Sequence, residues 1–205
     1  SIRPMLWDQA TLQNLETSSS HIKVHTISVV PALLQTLQMS EVVYKTLSDI
    51  DAFSAKRMTN ELGVRVRRQS EIFNTRRTFQ FVFYENCIKW LRNLDSDIAS
   101  EQLRHLIRCS QLENVQIRIV PNSRCEFLVQ GNLAIYDNFV LEHECISGEI
   151  LTADPASIKA GELAFQQALT AALTEQETRE LFERELERVK SRKNDKDDVD
   201  LTSAA

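Results

Sequence analysis

Glycine and proline are scarce, with four of each in 205 residues. A phosphate-cradling loop needs several glycines in one short stretch, so P-loops and dinucleotide fingerprints are excluded, and no nucleophile elbow occurs. The same scarcity leaves few flexible linkers, which favours one compact unit over beads on a string. Cysteine is as sparse: Cys87, Cys109, Cys125 and Cys145 are scattered with no CxxC pair. They provide neither a disulfide framework nor zinc-site spacing, and reduced thiols of a cytoplasmic protein are expected. No window approaches the roughly 18 consecutive apolar residues of a membrane helix. Residues 1–10 also lack the basic-then-apolar order of a signal peptide. Basic charge is short too. Twenty-four Lys and Arg against 29 Asp and Glu leave a formal net charge of -5, which argues against a chain-wide nucleic-acid footprint but leaves room for a local basic patch.

What is present reads as a globular domain, because 42% hydrophobic residues can bury a sizeable core. Met5–Ser18, with Leu6, Trp7, Leu12 and Leu15, predicts a short helix. The β-branched run Ile22–Val30 predicts a strand closed by Pro31. Leu33–Leu47 and Asp51–Phe73 have apolar residues at helical spacing. Phe79, Phe81 and Phe83 alternate along a buried strand, Glu85–Leu91 turns helical, and Asp97 is the expected cap of a helix over Ile98–Leu112.

From Val115 the period becomes two. Val115–Val120, Phe127–Val129, Leu133–Tyr136, Phe139–His143 and Glu149–Thr152 read as an antiparallel meander with turns at Pro121-Asn122-Ser123, Gly131-Asn132, Asp137-Asn138 and Ser147-Gly148. Asp154-Pro155 starts a helix, and Thr174 to Glu177 forms a capping box for another. The expected fold is α+β: N-terminal helices with a strand, a central antiparallel sheet and C-terminal helices. It forms one unit over 1–190, followed by a charged, disordered tail over 191–205.

Candidate chemistry is thin. His21 and His25 lie in a strand, about 13 Å apart at the usual rise, too far for one metal. Glu142 and Glu144 share one face of a strand and could resemble a paired-carboxylate centre, but their neighbours suggest a solvated edge, with His143 exposed between them. The densest basic stretch is Arg65 to Arg68. Arg65 and Arg68 fall on one helical face and, with Gln69, could grip an anion or carboxylate. The plainer reading is a salt-bridged helix near Glu61 and Glu71. No metal or cofactor is implied.

Several segments together resemble one actinobacterial family, the domain of unknown function C-terminal to Cro/repressor-type (XRE-family) helix-turn-helix regulators, often called Scr1-like. The matching pieces are Leu15-Glu16, Val30-Pro31-Ala32-Leu33-Leu34-Gln35-Thr36, Arg65 with Arg68 and Gln69, Glu85 after the Phe79–Tyr84 strand, Gln102 to Leu106, Asn114-Val115 through Val120-Pro121, and Gly131-Asn132-Leu133. Ala32 stands where the family has glycine, Asn86-Cys87 replaces small apolar residues, and residues 122–127 lack the glycines usual there.

The resemblance implies regulation rather than catalysis, with DNA contact belonging to an N-terminal helix-turn-helix module that would end where this chain begins. This portion would then supply ligand or partner sensing and dimerisation. Its partners would be a second copy, a small companion protein or a small-molecule effector, in the cytoplasm and away from membranes. Arg65, Arg68 and Gln69, with Gln35 and Glu85 as neighbours, are the candidate ligand- or partner-binding residues, unless they only fix the packing of two helices on the sheet. Two other readings compete. One is a small hydrolase or nucleotide-modifying enzyme using the same Arg/Glu set. The other is a homodimerisation module built on an apolar face over Thr174–Val189.

Overall fold

Period-two runs rich in β-branched and aromatic residues supply the strands, and turn residues end them. A computed structural model describes residues 9–48, 55–125, 131–145 and 148–203. Among these, six strands form one sheet: β1 (His21–Thr26), β2 (Thr78–Tyr84), β3 (Val115–Val120), β4 (Asn132–Tyr136), β5 (Val140–Cys145) and β6 (Gly148–Thr152). The order is β3-β2-β1-β4-β5-β6. Seven α-helices accompany them: α1 (Gln9–Ser18), α2 (Leu37–Ser48), α3 (Ala55–Gln69), α4 (Glu85–Trp90), α5 (Ser96–Cys109), α6 (Pro155–Ala171) and α7 (Glu175–Ser203). The class is α+β, as expected.

The sheet is mixed, which corrects the expectation of an antiparallel one. β1, β2 and β3 are mutually parallel, and β4 to β6 form an antiparallel meander attached to β1 through β4. Connection length explains the division. Parallel neighbours need a crossover of a dozen residues or more, and the helical segments after β1 and β2 provide it. Pro121-Asn122-Ser123 looks like a hairpin turn but forms a short 3-10 turn over Asn122–Arg124. The chain then leaves β3 as one end of the sheet, and β4 pairs with β1 instead. Parallel strands are covered on both faces, and in β2 Phe79, Phe81, Val82 and Phe83 are accordingly all buried. The strand expected at Phe127–Val129 lies outside the described residues.

Local chemistry adjusts several boundaries. β1 stops at Thr26, whose hydroxyl donates to the Val29 carbonyl at 2.8 Å. Pro31 then leads into a 3-10 turn over Ala32–Leu34, which delays α2 to Leu37. α3 ends in a second 3-10 turn, Ser70–Phe73. The parts of the expected helices over Met5–Asp8 and 51–54 lie outside the described residues. Asp95, not Asp97, caps α5, accepting from the Asp97 amide at 2.8 Å. Asp97 sits in the first turn, where a negative charge suits the helix dipole.

The other two helix starts form as the sequence indicates. Asp154 accepts from Ser157 N at 2.8 Å, and Thr174 and Glu177 exchange bonds of 3.2 and 2.7 Å. α7 does not end near 190. Its charged last third contains no glycine or proline and stays helical to Ser203. Arg192 donates to the carbonyls of Arg92 and Leu94 there, and Lys193 to Asp97 at 2.6 Å.

Strand alternation sorts the meander into two faces. Val24, Thr26, Asn132, Ala134, Tyr136, Glu142, Glu144 and Glu149 share the face that looks towards α1 and α3. Leu141 belongs to the opposite face, against α6, where Lys23 also binds Glu162 at 2.7 Å. α6 approaches so closely that a Cβ on Gly161 would stand 2.8 Å from one methyl of the fully buried Leu141. Gly161→Ala should therefore destabilise the fold by roughly 1–2 kcal/mol, the overpacking outweighing the usual helical gain of about 1 kcal/mol. Urea unfolding checks this, and the same change should cost less in a Leu141→Val background. A stabilised Gly161→Ala would show that α6 lies farther from the sheet.

Candidate functional site

Arg65 and Arg68 lie one turn apart on α3 and face inward, 5% and 4% exposed. Charges this deep require partners. Arg68 places Nε between both Glu16 oxygens at 3.1 and 2.9 Å, with Nη2 at 2.6 Å from Oε1. Its Nη1 donates to Gln9 Oε1. Glu16 and Gln9 come from α1 and are each 1% exposed. Burial works against the Arg68 charge, but Glu16 outweighs it and raises the pKa. The carboxylate anticipated for this arginine pair is therefore built into the chain. It is neither Glu61, which accepts from Gln9 N at 3.3 Å, nor Glu71, which pairs with Arg77 at 2.9 Å.

Arg65 donates to Gln35 Oε1 at 3.0 Å and to Gln9 Oε1 at 3.5 Å, and its guanidinium lies 4.6 Å from the centre of the Tyr44 ring. Burial lowers its pKa. Gln35 donates to Val30 O at 2.7 Å and accepts from Ser40 Oγ at 3.1 Å. Gln69 donates to Ser40 Oγ and to Ala32 O at 3.0 and 3.1 Å. Arg65, Arg68, Gln69 and Gln35 thus meet in one network joining α1, α2, α3 and the Ala32–Leu34 turn.

Glu85 is not part of it. At the start of α4 it accepts from Asn122 N at 3.0 Å and pairs with Lys89 at 2.9 Å, tying the end of β2 to the turn after β3. Its slight burial would raise its pKa, but these donors outweigh it and lower the pKa.

Across from α3 the sheet presents a second wall, and the two enclose a cavity of about 80 Å³. Glu142 and Glu144 project from β5 and Glu149 from β6. The solvated edge expected for Glu142 and Glu144 is overturned, because β5 is paired on both sides and its polar face is roofed by α1 and α3. Tyr136 donates to Glu142 Oε2 at 2.6 Å. Asn132 donates to Glu144 Oε2 at 2.5 Å while accepting from Ile27 N at 2.9 Å.

Glu149 is 3% exposed and its Oε2 has no hydrogen-bond partner, as is true of Gln9 Nε2. The arginines fix the Gln9 amide by its oxygen, so its NH2 group stays directed away from them. Burial raises the pKa of Glu142 to about 7, overcoming Tyr136 and Arg68. Burial and the Glu142 charge raise that of Glu149 to about 8. His143, between the two β5 carboxylates, is exposed.

The cavity opens into a cleft of about 290 Å³ that shares Thr26, Ala32, Arg65, Asn132 and Glu144 with it. The remaining walls are largely apolar, formed by Val29, Val30, Pro31, Val43 and Trp90. A polar recess at the end of an apolar slot suits binding of a small amphiphile. Among the described residues no group of three or more His, Cys, Asp or Glu is placed to hold a metal ion. His21 and His25 serve different neighbours, Thr78 at 2.6 Å and Tyr84 at 3.2 Å, and burial lowers the His25 pKa to about 4.

The sequence reading missed Gln9, Tyr136 and Glu149, and used Glu16 only as a point of resemblance. A signal for the carboxylates existed: Glu142, Glu144 and Glu149 are acids in two short strands whose other residues are largely apolar. Gln9 and Tyr136 carried none, since their role comes from α1 folding over β4.

Titration tests this wall. In the unfolded chain Glu142 and Glu149 ionise near the ordinary 4.5, but in the folded chain only near 7 and 8. The folded state therefore holds more protons between these limits, and stability present below pH 4.5 is lost as pH rises through 8. Glu149→Gln removes its share of that loss. It should stabilise the protein by roughly 2–4 kcal/mol at pH 8.5, or on the order of 5–10 °C in Tm, and by much less at pH 5. A destabilised variant at pH 8.5 would place Glu149 in a favourable ion pair.

A family model described as a domain of unknown function (DUF5753) matches residues 9–184. No curated protein matches the chain. The match runs from Gln9, at the start of the network, to Arg184 in the first half of α7, and so takes in both walls of the cavity. On that span the chain belongs to the DUF5753 family.

Proposed function

We propose that this domain is the sensing part of a helix-turn-helix transcription regulator and that the cleft between α1, α3 and the sheet receives a small ligand. The observation that carries the reading is the pair of buried, partnerless polar atoms on the cavity wall, Gln9 Nε2 and Glu149 Oε2. Leaving such groups unsatisfied costs on the order of 1–3 kcal/mol each. A fold that retains them beside an open apolar slot is prepared for a partner from solution.

A ligand there would touch α1 and α3 on one side and β5 and β6 on the other. It would favour the state in which those walls are close, through a difference in affinity between two states. In the architecture that the resemblance implies, the DNA-binding module precedes α1. The helix clamped by Arg68 is then the element through which occupancy would alter DNA-binding competence.

Two alternatives have less support. The enzymatic reading drew on Arg65, Arg68 and Glu85 converging with exposed heads. Both arginines are buried and engaged, and Glu85 serves a different junction. The homodimerisation reading drew on an apolar face over Thr174–Val189. Leu181, Phe182, Leu186 and Val189 of that stretch are buried within the chain, where α7 packs along α5 and β3.

Ala32 borders both parts of the cleft, and Ala32→Phe should fill it. Chromatin immunoprecipitation of the full-length protein from its own cells should recover discrete DNA sites. The filled variant, with Tm within a few degrees of the parent, should fix the transcription of adjacent genes at one level across growth conditions. Absence of any enriched DNA would contradict the regulator reading, and unchanged responses in Ala32→Phe would contradict sensing through this cleft.

A further inference from the structure

The charge arrangement around the cavity distinguishes among ligands. Its two arginines are largely engaged within the chain, with only Nη2 of Arg65 making no hydrogen bond among the described residues. Arg68 commits Nε, Nη1 and Nη2 to Glu16 and Gln9, and Arg65 engages Gln35, Gln9 and the face of Tyr44. The carboxylates on the opposite wall are the less engaged partners. Glu142 receives one hydrogen bond from Tyr136 and Glu144 one from Asn132, and neither is among the ion pairs of the described residues. Glu149 Oε2 receives nothing.

These three face Glu16 from α1, Tyr44 from α2, Arg65 and Arg68 from α3, and Tyr136 from β4. Once Glu16 has neutralised Arg68, only the Arg65 charge stands against three carboxyls. The three carboxyls therefore do not all ionise in the empty pocket, and a cation from solution would supply the missing positive charge.

Resting on the receptor reading above, we infer that the ligand is a small organic cation. A protonated amine would be held by Glu142, Glu144 and Glu149, and an apolar body would lie along Val29, Val30, Val43 and Trp90. The independent observation beside the acidic cluster is the buried Gln9 amide, whose Nε2 donor lines the same cavity without an acceptor. It suits an oxygen carried near the nitrogen, as in an amino alcohol. A metal ion fits less well, since the described carboxylates are not placed to ligate one together. The slot is wide enough for a ring, because an apolar cavity of about 150 Å³ already admits benzene and this one holds about 290 Å³.

Binding has a proton signature. Burial keeps Glu142 and Glu149 partly protonated near neutrality. An arriving ammonium favours their ionised forms, so each carboxyl that ionises releases its proton to the buffer, and affinity rises from pH 6 to pH 8.5.

Four probes of one shape test this by calorimetry at millimolar concentration: phenylalaninol, phenethylamine, 3-phenyl-1-propanol and 3-phenylpropionate. Phenylalaninol should bind most tightly and phenethylamine next. The alcohol should bind at least about tenfold more weakly than the amines, and the propionate should give no heat. Repeating the phenylalaninol titration in buffers of different ionisation enthalpy should reveal net proton release at pH 7. Glu149→Gln should shrink the preference for amine over alcohol and reduce the proton release that accompanies amine binding.

Tighter binding of the alcohol or the propionate would overturn the cation assignment and leave the receptor reading standing. Silence from all four probes, with the parent protein folded by circular dichroism, would overturn both. Amine binding that is unchanged in Glu149→Gln and releases no proton would place the amine elsewhere on the surface and overturn the assignment.

Discussion

The contact between Arg68 and Glu16 is the constraint around which the N-terminal half is arranged. It joins a helix at the start of the described chain to one more than fifty residues later, with a forked guanidinium on a carboxylate and almost no access to water. Two such charges are costly to bury and worth keeping only when each satisfies the other. Other features depend on this pair. It fixes the register of α1 against α3 and turns the Gln9 amide oxygen towards the arginines. Through Arg65 it connects to Gln35, Ser40 and Gln69, which tie α2 and the Ala32–Leu34 turn to the same helix.

With α1 and α3 held as one roof, the meander beneath determines what the enclosed space can do. A fold seeking only stability would line it with aliphatic side chains. This one places three glutamates on adjacent strands and leaves oxygen and nitrogen atoms there without partners. Burial raises the pKa of Glu142 and of Glu149, so the empty site is more stable with these carboxyls protonated than ionised. Residues kept against the interest of stability are those most economically explained by binding.

The sequence revealed the elements better than their pairing. Capping residues at Asp154 and Thr174 and the phenylalanine alternation of β2 are local signals, and the structure follows them. The parallel half of the sheet was illegible, because nothing local in Val115–Val120 says whether it continues into a hairpin or ends at an edge. At the site the arginine side was legible: helical spacing put Arg65, Arg68 and Gln69 together, and a resemblance added Gln35. The inclusion of Glu85 came from the same resemblance, yet that residue closes a different junction. The acidic wall was misread as solvent-facing because its burial depends on α1, a helix more than 120 residues away in sequence, lying across it.

A double-mutant cycle on Glu16 and Arg68, followed by urea unfolding, tests the central claim most directly. Each leucine substitution alone should cost roughly 3–5 kcal/mol by stranding a buried charge. The double variant should lose less than the sum of the two single losses, the difference being a coupling energy on the order of 2–3 kcal/mol. Additive losses with no coupling would mean that the pair does not hold α1 to α3, and the roof over the carboxylates would lose its physical basis.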